Sequence, residues 1–160
     1  MQMNVFHTSD VCVTHPDISY SRAYLDFGKG FYVTPLRTQA EKYAARILVR
    51  GKKPVLNSYE FCFDKQTIRY KCFESYNEEW LDYVAACRDG RAVVPYDVIE
   101  GGVADDKVFD TVDLYFSGLM SKADALRRLI YVEPNWQICI ASQRVLDENL
   151  LFVKSEMLAL

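Results

Sequence analysis

The sequence predicts an α+β domain whose β core is mainly antiparallel, with helices flanking it. Two observations carry that expectation. Half of the 160 residues are hydrophobic and 26% are charged, the balance of a chain that buries one sizeable core. Strand and helix signals also follow one another without the regular strand–helix–strand alternation that builds a doubly wound parallel sheet. No repeat, linker or low-complexity segment divides the chain, so residues 1–160 are read as a single domain.

Asn4 to Thr8 reads as a short opening strand, followed by a loop in which Asp10, Pro16, Asp17 and Ser19 break any apolar period. Gly28 and Gly30 punctuate the chain before the β-prone run Phe31 to Thr34, which Pro35 halts. Arg37 to Arg50 carries Ala40, Ala44, Ile47 and Leu48 at helical spacing, with Thr38 as the expected cap and Gly51 beyond its end. Val55 to Phe63 reads as a longer strand. Tyr76 to Arg88 then sets Trp80, Leu81, Val84 and Cys87 on one helical face and stops near Gly90. Tyr96 to Glu100 is extended. Gly101 and Gly102 are expected to break the chain before a helix from Lys107 to Phe116. Ser121 starts a helix through Tyr131, Trp136 to Ala141 is a strand, Gln143 to Leu146 a turn of helix, and Leu150 to Val153 a last strand.

Composition excludes several classes of function. A formal net charge of −3 and a pI near 5.4 create no general attraction to nucleic-acid or anionic membrane surfaces, so neither is an expected partner. No long apolar run suggests a membrane span, and the start, Met1 to His7, lacks the basic and apolar regions of a secretion signal. The expected location is the cytoplasm. The five cysteines are widely spaced and only His7 and His15 offer imidazole, so no metal site is expected. Arg46, Arg50, Lys52 and Lys53 gather near the end of the first predicted helix, where cations meet the negative end of the helix dipole.

Four features remain that could hold a ligand. Gly28-Lys29-Gly30 lets backbone approach a ligand closely, although such a pair serves equally well as a tight turn. Tyr32 lies on the opposite strand face from Phe31 and Val33, so its ring is expected to be exposed and able to stack on a heteroaromatic base. His7 sits on a short strand, where its ring nitrogens can bond ribose hydroxyls or a neighbouring structural group. Trp136 beside Gln137 offers a pocket wall or ordinary packing.

Together, Val5-Phe6-His7-Thr8 and Asp26 to Thr34 resemble the first two signature elements of the ADP-ribosyltransferase fold, in its diphtheria-toxin and poly(ADP-ribose) polymerase branch. With Gly101 to Lys107 and Asn135-Trp136-Gln137-Ile138, nearly the whole chain is similar to an uncharacterised bacterial family of that fold, a domain of unknown function often encoded beside a small partner protein. The resemblance implies NAD as substrate, cleavage of its nicotinamide–ribose bond and transfer of ADP-ribose to a macromolecular acceptor. A toxin masked by an antitoxin-like partner fits that setting.

The resemblance implies that His7 binds the adenosine ribose, Tyr32 stacks on nicotinamide and Gln137 holds the nicotinamide ribose. Gly28, Gly30, Phe31, Thr8 and Thr34 complete the implied NAD-binding set. Gln137 stands where better-known transferases carry a glutamate, and an amide supplies no charge to offset an oxocarbenium-like transition state. Glu100, Asp105 and Asp106 are the substitute carboxylates, or else the acids of a helix start. Two alternatives follow: a catalytically silent module that acts by binding protein, and an NAD glycohydrolase with water as acceptor.

Overall fold

The computed structural model describes residues 1–159. Its elements run β1 (Gln2–Ser9), β2 (Phe31–Val33), α1 (Arg37–Val49), β3 (Val55–Cys62), β4 (Tyr70–Cys72), α2 (Glu78–Arg88), β5 (Val98–Gly102), α3 (Asp106–Phe116), α4 (Lys122–Leu129), β6 (Trp136–Ile140), α5 (Gln143–Asn149) and β7 (Leu150–Met157). The strands form two sheets, ordered β1-β3-β7 and β2-β6-β5-β4. Every pairing is antiparallel except β4 with β5. This is the α+β class with a mainly antiparallel core that the chain's pattern predicts.

Helix starts follow local chemistry. Asn77 accepts a hydrogen bond from the Trp80 amide at 2.9 Å, and Glu78 and Glu79 sit in the first turn of α2, where the helix dipole favours acids. Ser121 likewise accepts from the Asp124 amide at 3.1 Å to begin α4. α1 starts differently from expectation: its cap position is Leu36, with no side-chain cap bond, and Thr38 lies inside the helix. Ala40, Ala44 and Ile47 supply the buried stripe that holds it in place instead. α4 also ends at Leu129, leaving Tyr131 outside it and exposed.

The Gly101–Gly102 pair is not a loop. Both residues are buried inside β5. A Cβ on Gly102 would lie 2.3 Å from Tyr76 Cε1, and one on Gly101 would lie 3.1 Å from Phe73 Cβ. The two glycines let Phe73, Phe27 and Tyr76 pack close against the strand, a reason for glycine in a strand interior that punctuation rules do not capture.

Alternation along β6 sorts the interior into two layers. Ile138 and Ile140 join Phe31 and Val33, which meet Val5 and Tyr59 of the first sheet. Cys139 faces the other way, into a second cluster with Phe27, Ile99, Trp80 of α2 and Val112 of α3. An isolated bridge links the two sheets where Phe6 and Thr34 exchange backbone hydrogen bonds of 2.8 and 3.0 Å.

Candidate functional site

At that junction the His7 ring lies 2.7 Å, through Nδ1, from the Tyr32 carbonyl oxygen. A carbonyl only accepts, so Nδ1 carries the proton and Nε2 is left as the acceptor. The ring also lies against Phe31, with centroids 4.5 Å apart and planes tilted by 37°. Burial lowers the His7 pKa from its ordinary value of 6.5, against the opposing effect of the Tyr32 carbonyl. The imidazole is therefore neutral at pH 7. Its neighbour Thr8 donates to the Ala40 carbonyl at 2.5 Å, and Thr34 Oγ1 accepts from the Leu36 amide at 3.1 Å. Both hydroxyls hold the entry and first turn of α1.

The two glycines of the Gly28–Gly30 turn have different reasons to be glycine. Gly28 has φ +80°, and a Cβ there would meet nothing within 4 Å. At Gly30 a Cβ would stand 2.4 Å from Cys139 Sγ and 2.9 Å from the Ile140 carbonyl oxygen, so close packing on β6 requires its bareness. Tyr32 spans the same turn. Its hydroxyl donates to the Gly28 carbonyl at 2.6 Å and accepts from the Phe27 amide at 3.0 Å. The ring is partly buried against the helical layer, and burial raises the phenol's pKa well above its usual value. The expected exposed stacking platform is thus a clasp on the turn: its hydrogen bonds draw the ring inward.

Gln137 is buried and donates through Nε2 to Asp26 Oδ2 at 2.9 Å and to the Gly102 carbonyl at 3.3 Å. Asp26 is the centre of a buried polar group. Its Oδ2 also accepts from the Ala104 amide at 2.8 Å, and its Oδ1 accepts from Arg88, through Nε at 3.0 Å and through Nη2. The Arg88 guanidinium in turn stands 4.6 Å over the Phe109 ring. Sequence reasoning used Asp26 only as the edge of a motif and missed Arg88. Residues so far apart in the chain give no local signal of this group.

Strand register decides which of these side chains share a face. Tyr32 pairs with Cys139 and Gln137 with Gly101, so Tyr32, Cys139 and Gln137 all point to the helical side of the second sheet. His7 packs on Phe31, on the opposite side. Glu100 also lies on the Phe31 side, in one row with Ile138 and Val33, and it accepts a hydrogen bond from the Tyr70 hydroxyl. It is a strand residue, not part of a helix start. Asp105 occupies the cap position of α3 without capping it and accepts from Asn135 Nδ2 at 2.8 Å. Asp106 begins α3 at φ 45°, in the left-handed region. Trp136 is held by its backbone: Gln39 bonds both its amide and its carbonyl at 2.8 Å.

A cleft of about 430 Å³ opens on the Tyr32 side, and Gly28 is the one expected site residue that lines it. In the basic cluster, Lys52 is paired with Asp10 at 2.6 Å. Among the described residues, no three His, Cys, Asp or Glu side chains gather as a metal site, and no helix is long and apolar enough to cross a membrane.

Comparison with known families matches residues 3–152 to a model described as a protein of unknown function, DUF3990. Neither the curated proteins nor the solved structures contain a match to this chain.

Proposed function

The chain belongs to the DUF3990 family, and from the contact between His7 and the Phe31–Tyr32 segment we propose that it binds NAD in the manner of an ADP-ribosyltransferase and cleaves its nicotinamide–ribose bond. The observation that carries this reading is the His7 Nδ1–Tyr32 carbonyl bond. It joins the two motifs of the transferase resemblance, 25 residues apart in the chain, and fixes the imidazole with Nε2 free to accept from a ribose hydroxyl. ADP-ribose then passes to a macromolecular acceptor, and the setting is that of an intracellular toxin held in check by a small protein partner.

Gln137 does not fill the role of the transferase glutamate in this scheme. Its amide is engaged by Asp26, on the sheet face away from His7. Glu100 is the carboxylate on the His7 side, in a strand row about 10 Å, or two inter-strand spacings, from Val33. We assign to it the offset of positive charge as the glycosidic bond breaks. Nicotinamide release by purified protein, with and without cell lysate as acceptor source, tests the scheme. Release is expected to vanish in His7→Ala and Glu100→Gln and to survive Gln137→Glu. Release without lysate would identify a glycohydrolase.

A second reading, a silent module that binds protein, is favoured by one observation: the Gln137 amide and the Glu100 carboxylate both hold intramolecular hydrogen bonds. NAD binding with no nicotinamide release under any condition would select it. Absence of NAD binding altogether would overturn the proposal.

A further inference from the structure

The cleft on the Tyr32 side of the second sheet is lined by the Gly28–Lys29 turn, by residues from Val93 to Asp97 that follow α2, and by Ala141 and Ser142 beyond the end of β6. Its volume of about 430 Å³ lies within the roughly 300–1,000 Å³ of small-molecule sites. Aromatic rings form its inner wall. Phe27 and Tyr83 have centroids 6.3 Å apart, and Tyr83 and Tyr96 lie 6.0 Å apart with planes tilted by 44°. The Tyr83 hydroxyl donates to the Val94 carbonyl at 3.1 Å, which ties the second segment to the wall. Ile99 completes an apolar floor.

The mouth is cationic. Arg69 and Asp97 neutralise each other, with Nη2 to Oδ1 at 2.9 Å, and the Arg69 backbone amide also donates to Asp97 Oδ2 at 2.8 Å. This pairing leaves Arg69 Nη1 without a partner among the described residues. Lys29 is exposed and forms no ion pair among them, so it carries the uncompensated positive charge of the mouth. Beside it, Gly28 presents bare backbone at φ +80° with open space where a side chain would stand. Lys29, Arg69 and the Tyr83 and Tyr96 rings line one cleft, so a single small molecule held there meets cation and aromatic surface together.

We propose that this cleft binds a planar heteroaromatic ring carrying a phosphate, the chemistry of a mononucleotide. Base stacking on an aromatic wall needs no sequence-specific contact, and a lysine at the mouth meets phosphate as a point charge. The chain's net charge of −3 argues against a nucleic-acid polymer as the occupant, because it supplies no extended field for many phosphates. The site does not rest on the NAD reading. It lies on the sheet face opposite the His7 ring, and Tyr32 touches it only by holding the Gly28 carbonyl from behind.

The test is titration of the full chain with AMP, adenosine and inorganic phosphate, followed by calorimetry and by chemical shifts of the tyrosine rings. AMP is expected to bind at least about ten-fold more tightly than adenosine or phosphate, since both halves of the cleft engage it. Lys29→Gln is expected to weaken AMP roughly five-fold at low salt, with the difference shrinking as salt is added. Loss of one stacking ring in Tyr96→Leu corresponds to a weakening of roughly five- to a hundred-fold. Lys29 is exposed, so its variant decides the matter even where Tyr96→Leu fails to fold. AMP binding no tighter than phosphate, or unaffected by Lys29→Gln at low salt, would overturn the proposal. AMP binding lost in His7→Ala but kept in Lys29→Gln would move the nucleotide to the other face. Loss of NAD binding in His7→Ala alone bears on the NAD reading and leaves this site standing.

Discussion

Asp26→Ala removes the acceptor of four hydrogen bonds, from Arg88 Nε and Nη2, the Ala104 amide and the Gln137 amide. Breaking a buried ion pair by deleting one partner costs about 3–5 kcal/mol, because the other charge is left uncompensated. The Arg88 side chain is 25% exposed against 8% for Asp26, so water can reach part of the stranded cation, and the lower end, about 3 kcal/mol, applies. A chain of this length shifts its melting temperature by roughly 2–4 °C per kcal/mol, which gives a loss of roughly 6–12 °C. Asp26→Asn keeps the shape but turns one oxygen into a donor facing donors, and it should lose most of the same stability. Thermal unfolding followed by far-ultraviolet circular dichroism and calorimetry measures both variants. A loss below about 1 kcal/mol for Asp26→Ala would refute the claim that this group binds the Asp26 turn, α2 and the end of β5 together.

Three further predictions concern single groups. Gly30→Ala should cost about 3 kcal/mol, the upper range of overpacking, while Gly28→Ala should cost only about 1–2 kcal/mol for its left-handed backbone; paired denaturant melts compare them. His7 has a lowered pKa in the folded chain, so the unfolded chain binds its proton first. Stability should therefore fall as pH drops below about 6.5, and in His7→Gln this part of the slope should disappear from urea midpoints measured across pH 5 to 7. Burial pushes the Cys87 and Cys139 thiols up to about 12, whereas Cys12 and Cys62 are exposed. Iodoacetamide at pH 8 should label Cys12 and Cys62 first in native protein, and peptide mapping showing early modification of Cys139 would contradict its burial between β6 and the helices.

The parts of the fold that were legible from sequence are those where one segment decides its own state. β2 is three β-prone residues in a run halted by Pro35, and α2 shows a clean apolar stripe of Trp80, Leu81, Val84 and Cys87 that stops near Gly90. β4 was not anticipated, because Tyr70–Cys72 is three residues long and becomes a strand only by lying parallel to β5. The Gly101–Gly102 pair misled for the opposite reason: two glycines look like a break until Tyr76 and Phe73 are known to lie on them. At the candidate site, His7 and the Phe31–Tyr32 segment were legible as two elements of one motif pattern, but their contact through the Tyr32 carbonyl was not. Nor were the inward turn of Tyr32 and the engagement of Gln137, because their partners, Gly28 and Asp26, are set by register and chain path.

Register also constrains any chemistry at this site. A single β-sheet separates His7 from the side chains of Tyr32 and Gln137, and the period of two along β2 and β6 makes that separation a consequence of the hydrogen-bond ladder. Bringing Gln137 to the His7 side would require β6 to slip by one residue, which would drive Ile138 and Ile140 into the cluster that holds Cys139 and leave Cys139 among the aliphatic partners they pack against. Forcing two fully buried isoleucines into the space of one cysteine overpacks that cluster, at typically about 1–3 kcal/mol for each misplaced side chain, which disfavours the slipped register. Within the second sheet, the carboxylate that register places on the Phe31 side is Glu100, in the Val33–Ile138–Glu100 row. If nicotinamide release is found and Glu100→Gln leaves it intact, either this register or the place of His7 in the reaction is wrong, and cross-strand nuclear Overhauser contacts of Ile138 with Val33 and Glu100, kept or shifted by one residue, separate the two.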